Sequence, residues 1–242
     1  MDYSIQLYSV HKALTRENFD ENLGKIAEMG YTAVEPCGFY EYTPDEINAM
    51  LKKHNLKLSG THSAYKSLVE DFDNTLEFQK AIGNPNYIIP GGVPISNQKE
   101  IDEFVENANR LQEKLAAHGI NLCYHNHSGE FVVNADGSMP YEQMILRTNI
   151  DLEVDVYWAF KGLGNKNPID LLNRIENRIK CIHLKDGLET GHGKPLGQGD
   201  APIAEIFAWA KEKGKLAVVE NESDPLKCME EAKMCIEYLK TL

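Results

Sequence analysis

The sequence predicts one α/β domain over residues 1–242, folded as a single (β/α)8 TIM barrel. Short apolar runs typical of buried strands alternate strictly with amphipathic segments of helical periodicity. The alternation repeats eight times at an interval of about 30 residues, which implies right-handed crossovers and a parallel sheet. An open doubly wound sheet is the alternative, and it is disfavoured because no Gly-x-Gly-x-x-Gly turn follows an early strand. No shift in composition marks a second domain.

The first half of the chain contains four strand–helix pairs with recognisable helix ends. Apolar residues at helical spacing precede Gly30, which ends the first helix as a C-terminal glycine does. Pro44 lies in the first turn of the second helix, followed by acidic residues that favour a helix N-terminus. The predicted strands are 4–9, 33–36, 56–62 and 87–90, and the predicted helices are 16–29, 44–54, 71–82 and 97–118.

The second half of the chain repeats the same pattern. Gly119 precedes the fifth strand and Gly214 precedes the eighth, and each glycine ends the helix before it. The predicted strands are 120–125, 150–156, 179–185 and 216–220, and the predicted helices are 140–147, 168–177, 202–213 and 224–242.

Composition argues against several classes of protein. The 37 acidic and 25 basic residues give a net charge of -12, which disfavours a nucleic-acid partner because phosphate binding needs clustered Lys and Arg. No run of about 18 apolar residues is present, so no membrane partner is expected. The N-terminus lacks the features of a signal peptide, which indicates a cytoplasmic protein. The sequence leaves open whether the barrel forms a homo-oligomer.

Ionisable residues end six of the eight predicted strands. In an α/β barrel these ends converge on one face, where catalytic groups lie. Isolated buried charges are costly, so a chance distribution of this kind is disfavoured. Glu153 and Asp151 precede one of these residues at intervals of two along the sixth strand. The strand-end residues are Glu35, His62, His125, His127, Asp155, His183, Lys185, Asp186, Glu220 and Glu222.

The strand-end residues form a set of nitrogen and oxygen donors that contains carboxylates and imidazoles but no thiolate. Such donors suit a borderline or hard divalent cation. The sequence therefore predicts one divalent metal ion, which is Mn, Co, Zn or Mg.

Several of these residues lie in motifs that resemble the sugar phosphate isomerase/epimerase family, the xylose-isomerase-like TIM barrels. The resemblance extends from residue 5 to Glu220, and its most specific part is a His-Leu-Lys-Asp run followed by Leu-Gly-x-Gly. The matching segments are Tyr124-His125-Asn126-His127, residues 153–158, His183-Leu184-Lys185-Asp186, Leu196-Gly197-Gln198-Gly199 and Val219-Glu220.

The resemblance implies one divalent metal held at the ends of strands five to eight. Asp155, His183 and Glu220 match three of the family's ligand positions, and His125 stands where a glutamate is usual. The implied ligand set is therefore His125, Asp155, His183 and Glu220.

The resemblance also implies a metal-dependent isomerase or epimerase that removes a proton next to the carbonyl of a sugar or keto-sugar, with the metal stabilising the enediolate. Glu220 is the expected base, and His125 is expected to return or relay the proton. Lys185 is expected to bind a substrate hydroxyl or a negative group. The remaining predicted contacts to the carbohydrate substrate are those of Glu35, His62, His127 and Trp158, with Tyr8 as a further apolar surface.

Three other functions stay open on the sequence. An eliminating lyase or dehydratase on a keto-sugar or 3-keto-glycoside begins with the same proton removal, and His125 in place of a glutamate is compatible with its one-base chemistry. A non-catalytic sugar-binding barrel is compatible with the same substitution. The related AP endonucleases share the barrel but need a basic DNA track, which the acidic composition disfavours.

Overall fold

The computed structural model describes residues 3–242 and contains eleven strands in this range, nine of them in one parallel sheet. The sheet order is β3-β2-β1-β11-β8-β7-β6-β5-β4. The remaining two strands, β9 and β10, pair as a short antiparallel ribbon. The strands are β1 Tyr3–Gln6, β2 Ala33–Glu35, β3 Lys57–Leu58, β4 Thr61–His62, β5 Asn86–Ile89, β6 Asn121–His125, β7 Asp151–Asp155, β8 Ile179–Leu184, β9 Asp186–Gly187, β10 Gly193–Lys194 and β11 Leu216–Val219.

The predicted third strand, 56–62, closes the barrel in two pieces. Its first half, β3, pairs with β2, and its second half, β4, pairs with β5. The two ends of the sheet order thus belong to one chain segment, which confirms the predicted eight-unit barrel. Gly60 lies at the break, where a Cβ would approach Ile88 Cδ1 to 2.5 Å and Asn86 O to 3.2 Å. A larger residue would push the two halves away from the neighbouring strand.

Ten α-helices surround the sheet within the described range, two more than the sequence predicts. The additional helices are α3 and α7. Helix α7 begins directly after β7 because the Asp155 carboxylate accepts a hydrogen bond from Trp158 N at 2.8 Å. The helices are α1 Phe19–Met29, α2 Pro44–Lys53, α3 Tyr65–Glu70, α4 Phe72–Ala81, α5 Gln98–Ala116, α6 Pro140–Arg147, α7 Val156–Gly162, α8 Ile169–Ile175, α9 Ile203–Glu212 and α10 Cys228–Thr241.

The prediction of a first strand over 4–9 was wrong in its second half. The strand ends at Gln6, and residues Leu7–Ala13 form a 3-10 helix. The Gln6 side chain accepts a hydrogen bond from Tyr8 N at 2.9 Å, which turns the chain out of the sheet. Alternation of apolar and polar residues cannot detect this local side-chain-to-backbone bond.

The barrel interior has an apolar lower layer and a charged upper layer. Ile88, Cys123, Cys181 and Val218 form a buried cluster of their own at the lower level. Side chains alternate along each strand, so the next inward-facing position lies two residues nearer the C-terminal end of the strand. At this upper level the inward-facing residues are ionisable. The large apolar core lies outside the strands, against the helices. No helix within residues 3–242 has both the length and the apolar character needed to cross a membrane.

Candidate active site

The C-terminal ends of the strands surround a cavity of about 450 Å³. Its wall includes three imidazoles and two carboxylates, and Tyr8 lies 42% exposed at the rim. This is a size typical of a small-molecule site, and it lies where barrel loops converge. The ionisable wall residues are His62, His125, His127, Glu220 and Glu222.

The four predicted metal ligands lie together at the base of this cavity. His125, Asp155, His183 and Glu220 each offer one donor atom, and these atoms all lie within 4.8 Å of one another. All four residues are buried, and His183 Nδ1 lies 3.2 Å from Glu220 Oε2. The strand register explains part of this convergence, because Asp155 on β7 pairs directly with His183 on β8.

Asp155 provides a test of whether these residues fit a cation. One of its carboxylate oxygens accepts from Trp158 N, whereas the other, Oδ2, is buried and has no hydrogen-bond partner within the described chain. A buried carboxylate oxygen without a donor is costly. Together with two imidazoles and a second carboxylate, this oxygen completes a donor set that suits a divalent ion.

Burial and neighbouring charges set the protonation of these ligands. Burial raises the pKa of Asp155 to about 7 and lowers the pKa of His125 to about 3. Burial also disfavours the Glu220 carboxylate, but Lys185 and His183 outweigh it and hold the Glu220 pKa well below its usual value. Neutral His125 can therefore act as a ligand but is poorly suited to carry a proton near neutral pH.

Metal affinity should rise with pH across neutrality. Burial raises the Asp155 pKa to about 7, and the charges of Glu153 and Glu35 outweigh burial and raise the His183 pKa well above its usual value. Below neutral pH both groups therefore hold protons in the metal-free site. A cation needs both groups deprotonated, so its binding releases protons and strengthens as pH increases. Calorimetric titration with Co²⁺ in buffers of different ionisation enthalpy, at about pH 6, 7 and 8, measures this release. An affinity independent of pH would contradict the assignment.

Lys185 lies beside the predicted base. Its Nζ is 3.4 Å from Glu220 Oε2, contacts the Glu222 carboxylate, and stands 4.7 Å above the centre of the Trp158 ring. Burial alone would lower the Lys185 pKa, but the charges of Glu220 and Asp155 raise it, so the ammonium group persists. Lys185 can therefore donate a hydrogen bond to a substrate oxygen near Glu220.

The other predicted substrate contacts occupy different depths. His62 and His127 line the cavity, and the Trp158 ring lies 5.7 Å from that of His127. Glu35 is fully buried and is not on the cavity wall. Its Oε1 instead accepts from His183 Nε2 and Gln6 Nε2, each at 2.8 Å. Its position therefore favours support of the imidazoles over contact with substrate hydroxyls.

Glu153 is the central residue that the predicted site omits. It is fully buried beneath the cavity and contacts the rings of His62, His125 and His183. The signal in the sequence was its spacing of two from Asp155, which places both side chains on the inner face of β7. Burial opposes its ionisation, but the charges of His183 and His62 hold the Glu153 pKa well below its usual value.

Asp186 organises the loop between β8 and α9. Its carboxylate is buried and accepts four backbone hydrogen bonds. Gly199 is required there, since a Cβ would lie 2.2 Å from Asp186 Oδ1. The His-Leu-Lys-Asp and Leu-Gly-Gln-Gly motifs therefore form one structural unit. The four donors are Gly187 N (2.8 Å), Gly197 N (2.9 Å), Gly199 N (2.9 Å) and Ala201 N (3.2 Å).

Asp186→Ala should lower the free energy of unfolding by roughly 3 kcal/mol, because four backbone N–H groups, two of them in fully buried hydrogen bonds, lose a charged acceptor. Urea denaturation followed by circular dichroism measures the change. Asp200→Ala is the control, since Asp200 accepts from Glu189 N at 2.8 Å on the exposed part of the same loop. Its cost should stay below about 1 kcal/mol. Equal losses in the two variants would contradict the role given to Asp186.

A model described as the xylose isomerase-like TIM barrel matches residues 23–239. The chain belongs to this family. The match confirms the predicted family and fold and supports the prediction of an enzyme.

Several known proteins are similar to this chain over most of its length. An inosose dehydratase from Mesomycoplasma hyopneumoniae strain J is 25% identical, with 93% of this chain and 89% of that protein aligned. A 2-oxo-tetronate isomerase from Pectobacterium atrosepticum is 27% identical, over 78% of this chain and 80% of that protein. A crystal structure of a sugar phosphate isomerase/epimerase from Parabacteroides distasonis superposes with a TM-score of 0.86 at 23% identity, covering 100% of this chain and 98% of that one.

Proposed function

We propose that the protein is a metal-dependent isomerase or epimerase that removes a proton next to the carbonyl group of a keto-sugar. The observation that carries this proposal is the convergence of four buried donors at the base of a sugar-sized cavity, where Asp155 Oδ2 has no hydrogen-bond partner among residues 3–242. His125, Asp155, His183 and Glu220 would hold the ion. When bound, a divalent ion supplies positive charge that lowers the energy of an enolate formed from the substrate.

Glu220 would take the proton. It is ionised and lines the cavity, and its contacts with His183 and Lys185 both use Oε2. Its Oε1 is thus the oxygen that can face a substrate C–H bond. Lys185 lies beside it and can donate to the oxygen of the carbonyl or of a neighbouring hydroxyl. His125 then serves as a ligand, because its neutral form predominates above about pH 3.

The charge of the cavity favours an uncharged substrate. Of the described residues that line it, none is an arginine or lysine. Lys185, just behind the wall, already contacts Glu220 and Glu222. A phosphate or carboxylate group at a distance from the proposed ion would meet these glutamates with no arginine or lysine of the wall to offset the repulsion. A neutral polyhydroxy ketone would meet the hydrogen-bonding groups of the wall without this repulsion.

A dehydratase is the second candidate. The relatives named inosose dehydratase align with up to 93% of this chain, and an inosose is an uncharged polyhydroxy ketone. The same proton removal would then be followed by loss of a hydroxide from the adjacent carbon. Lys185 can protonate that leaving group, since its ammonium lies next to the base.

Incubation with a panel of neutral keto-sugars and inososes in D₂O tests both candidates. With Mn²⁺ or Co²⁺ present, an isomerase or epimerase yields an isomer that has gained deuterium at the reacting carbon. A dehydratase yields a product that has lost the mass of one water. Absence of both exchange and product across the panel, with metal shown to be bound, would contradict catalysis and favour a sugar-binding barrel.

A further inference from the structure

A second layer of ionisable residues lies directly beneath the four predicted ligands. It contains Glu35 and Glu153, both with 0% exposure, and neither takes part in the proposed proton transfer. A buried carboxylate pair is expensive unless each oxygen finds donors. His183 contacts both Glu35 Oε1 and Glu153 Oε2, and His125 contacts Glu153 Oε2, so hydrogen bonds connect this second layer to the predicted ligands. Glu35 Oε2 has no hydrogen-bond partner among the described residues.

Three imidazole rings contact Glu153 Oε2. It lies 2.7 Å from His62 Nε2, 3.0 Å from His183 Nε2 and 3.3 Å from His125 Nδ1. Its other oxygen, Oε1, accepts from Cys181 Sγ at 3.0 Å. Both oxygens are therefore occupied, and the carboxylate cannot rotate without breaking several contacts.

These contacts determine which nitrogen each ligand ring presents. A nitrogen that faces a carboxylate carries hydrogen, so the other nitrogen of a neutral ring keeps its lone pair. Both nitrogens of His183 face carboxylates. Nε2 faces two of them, Glu35 at 2.8 Å and Glu153 at 3.0 Å, so Nε2 keeps its hydrogen. Nδ1 faces only Glu220 among the described carboxylates, at 3.2 Å, and is the nitrogen that can give up its hydrogen to a cation. For His125 the remaining nitrogen is Nε2. In both rings, one nitrogen donates a hydrogen bond to a carboxylate of the second layer, and the other nitrogen is available to bind a cation.

The second ionisable layer is itself a possible cation site together with the imidazoles above it. Donor atoms of His62, His125, Glu153 and His183 also lie within 4.8 Å of one another. The short distances argue against it. Ligands about 2.1 Å from one ion lie roughly 3 Å or more from each other. The His62–Glu153 separation of 2.7 Å is instead that of a hydrogen bond.

We propose that Glu153 is a positioning residue that, assisted by Glu35, holds His125 and His183 with their cation-binding nitrogens turned toward Asp155 and Glu220. This inference rests on the proposed function, since it assumes that a cation binds in the upper layer. Carboxylates behind ligating histidines fix ring orientation and raise ligand strength, and their loss commonly weakens metal binding about ten- to a hundred-fold.

Glu153→Gln tests the proposal, because the amide preserves volume but removes the charge and one acceptor. Titration with Co²⁺, followed by its visible absorption, should give a dissociation constant about ten- to a hundred-fold higher than that of the wild type. Glu130→Gln is the matched control. Glu130 is also buried and accepts from Tyr124 OH and His127 N, at 2.9 and 3.0 Å. It contacts none of the three rings, so its variant should bind Co²⁺ as the wild type does.

Nitrogen-detected NMR of the histidine rings gives a readout that a merely structural role would not change. In the Zn²⁺-loaded wild type, hydrogen should reside on Nδ1 of His125 and Nε2 of His183. In Glu153→Gln the His125 ring should show a mixture of tautomers. If that variant does not fold, Glu35→Gln provides the same comparison for His183, with a smaller loss because Glu153 still accepts from its Nε2.

The outcomes separate the two ideas. Wild-type affinity and tautomers in Glu153→Gln would overturn the positioning role while leaving the metal site intact. An equal loss of affinity in Glu130→Gln would also overturn it, because the effect would then be general. A wild-type protein that binds no Co²⁺ would overturn both this inference and the proposed function.

Discussion

Glu220→Gln is expected to fold normally and to lose about 10³-fold in kcat on the substrate identified by the keto-sugar panel. The glutamine keeps the shape of the side chain, so burial and packing change little. It cannot accept a proton, however, and it binds a cation more weakly than a carboxylate does. Steady-state kinetics with saturating Mn²⁺ measures the loss, and circular dichroism with a thermal melt verifies the fold.

Glu222→Gln is the control for this effect. Glu222 lines the same cavity and contacts the same lysine, but it is not one of the four converging ligands. Its variant should retain at least about a tenth of the activity, because the base and the ligand set remain. Full activity in Glu220→Gln would remove Glu220 from the mechanism, and equal losses in both variants would indicate a general effect of charge.

Removal of the metal is expected to abolish turnover, and Asp155→Asn is expected to abolish tight metal binding. The variant keeps an oxygen that can accept from Trp158 N, so helix α7 should still begin at the same place. It loses the negative charge that the buried Oδ2 offers to a cation. Dialysis against a chelator, elemental analysis and reconstitution with Mn²⁺, Co²⁺, Zn²⁺ or Mg²⁺ measure metal content and activity together.

Asp151→Asn is the matched control on the same strand. Asp151 lies four residues before Asp155 at the opposite end of β7, and it pairs with Lys180 at 3.5 Å. Its variant should keep the metal content of the wild type. An enzyme that retains its full rate after complete removal of metal would exclude the proposed mechanism, whichever residue had been altered.

The positions of the strands were largely predictable because strands and helices differ in apolar periodicity. The third strand shows where this reasoning is insufficient. Its apolar residues indicate one strand over 56–62. The strand is instead interrupted at Gly60, and its two halves pair with two different neighbouring strands. The break follows from close approach to Ile88, a residue 28 positions away. Local periodicity contains no information about such a contact.

The inner face of β7 shows which features of the site can be predicted from alternation along a strand and which depend on the neighbouring strand. Alternation along the strand predicts that Glu153 and Asp155 point to one side. It does not predict that Asp155 pairs with His183 while Glu153 pairs with Cys181, with a register irregularity at Leu152. That register places Glu153 under the imidazoles and Asp155 beside them. The distinction between a supporting carboxylate and a candidate ligand therefore depends on the neighbouring strand.

The sequence by itself determined the barrel, the alternation of its eight strand–helix units, and the strand ends that carry His125, Asp155, His183 and Glu220. Only the tertiary structure decided their mutual distances, the burial of Glu35 and Glu153, and the nitrogen that each imidazole presents. The physical reason is the range of the forces involved. Periodicity reports which side of a strand is apolar, whereas hydrogen-bond partners and protonation depend on groups brought together across the barrel.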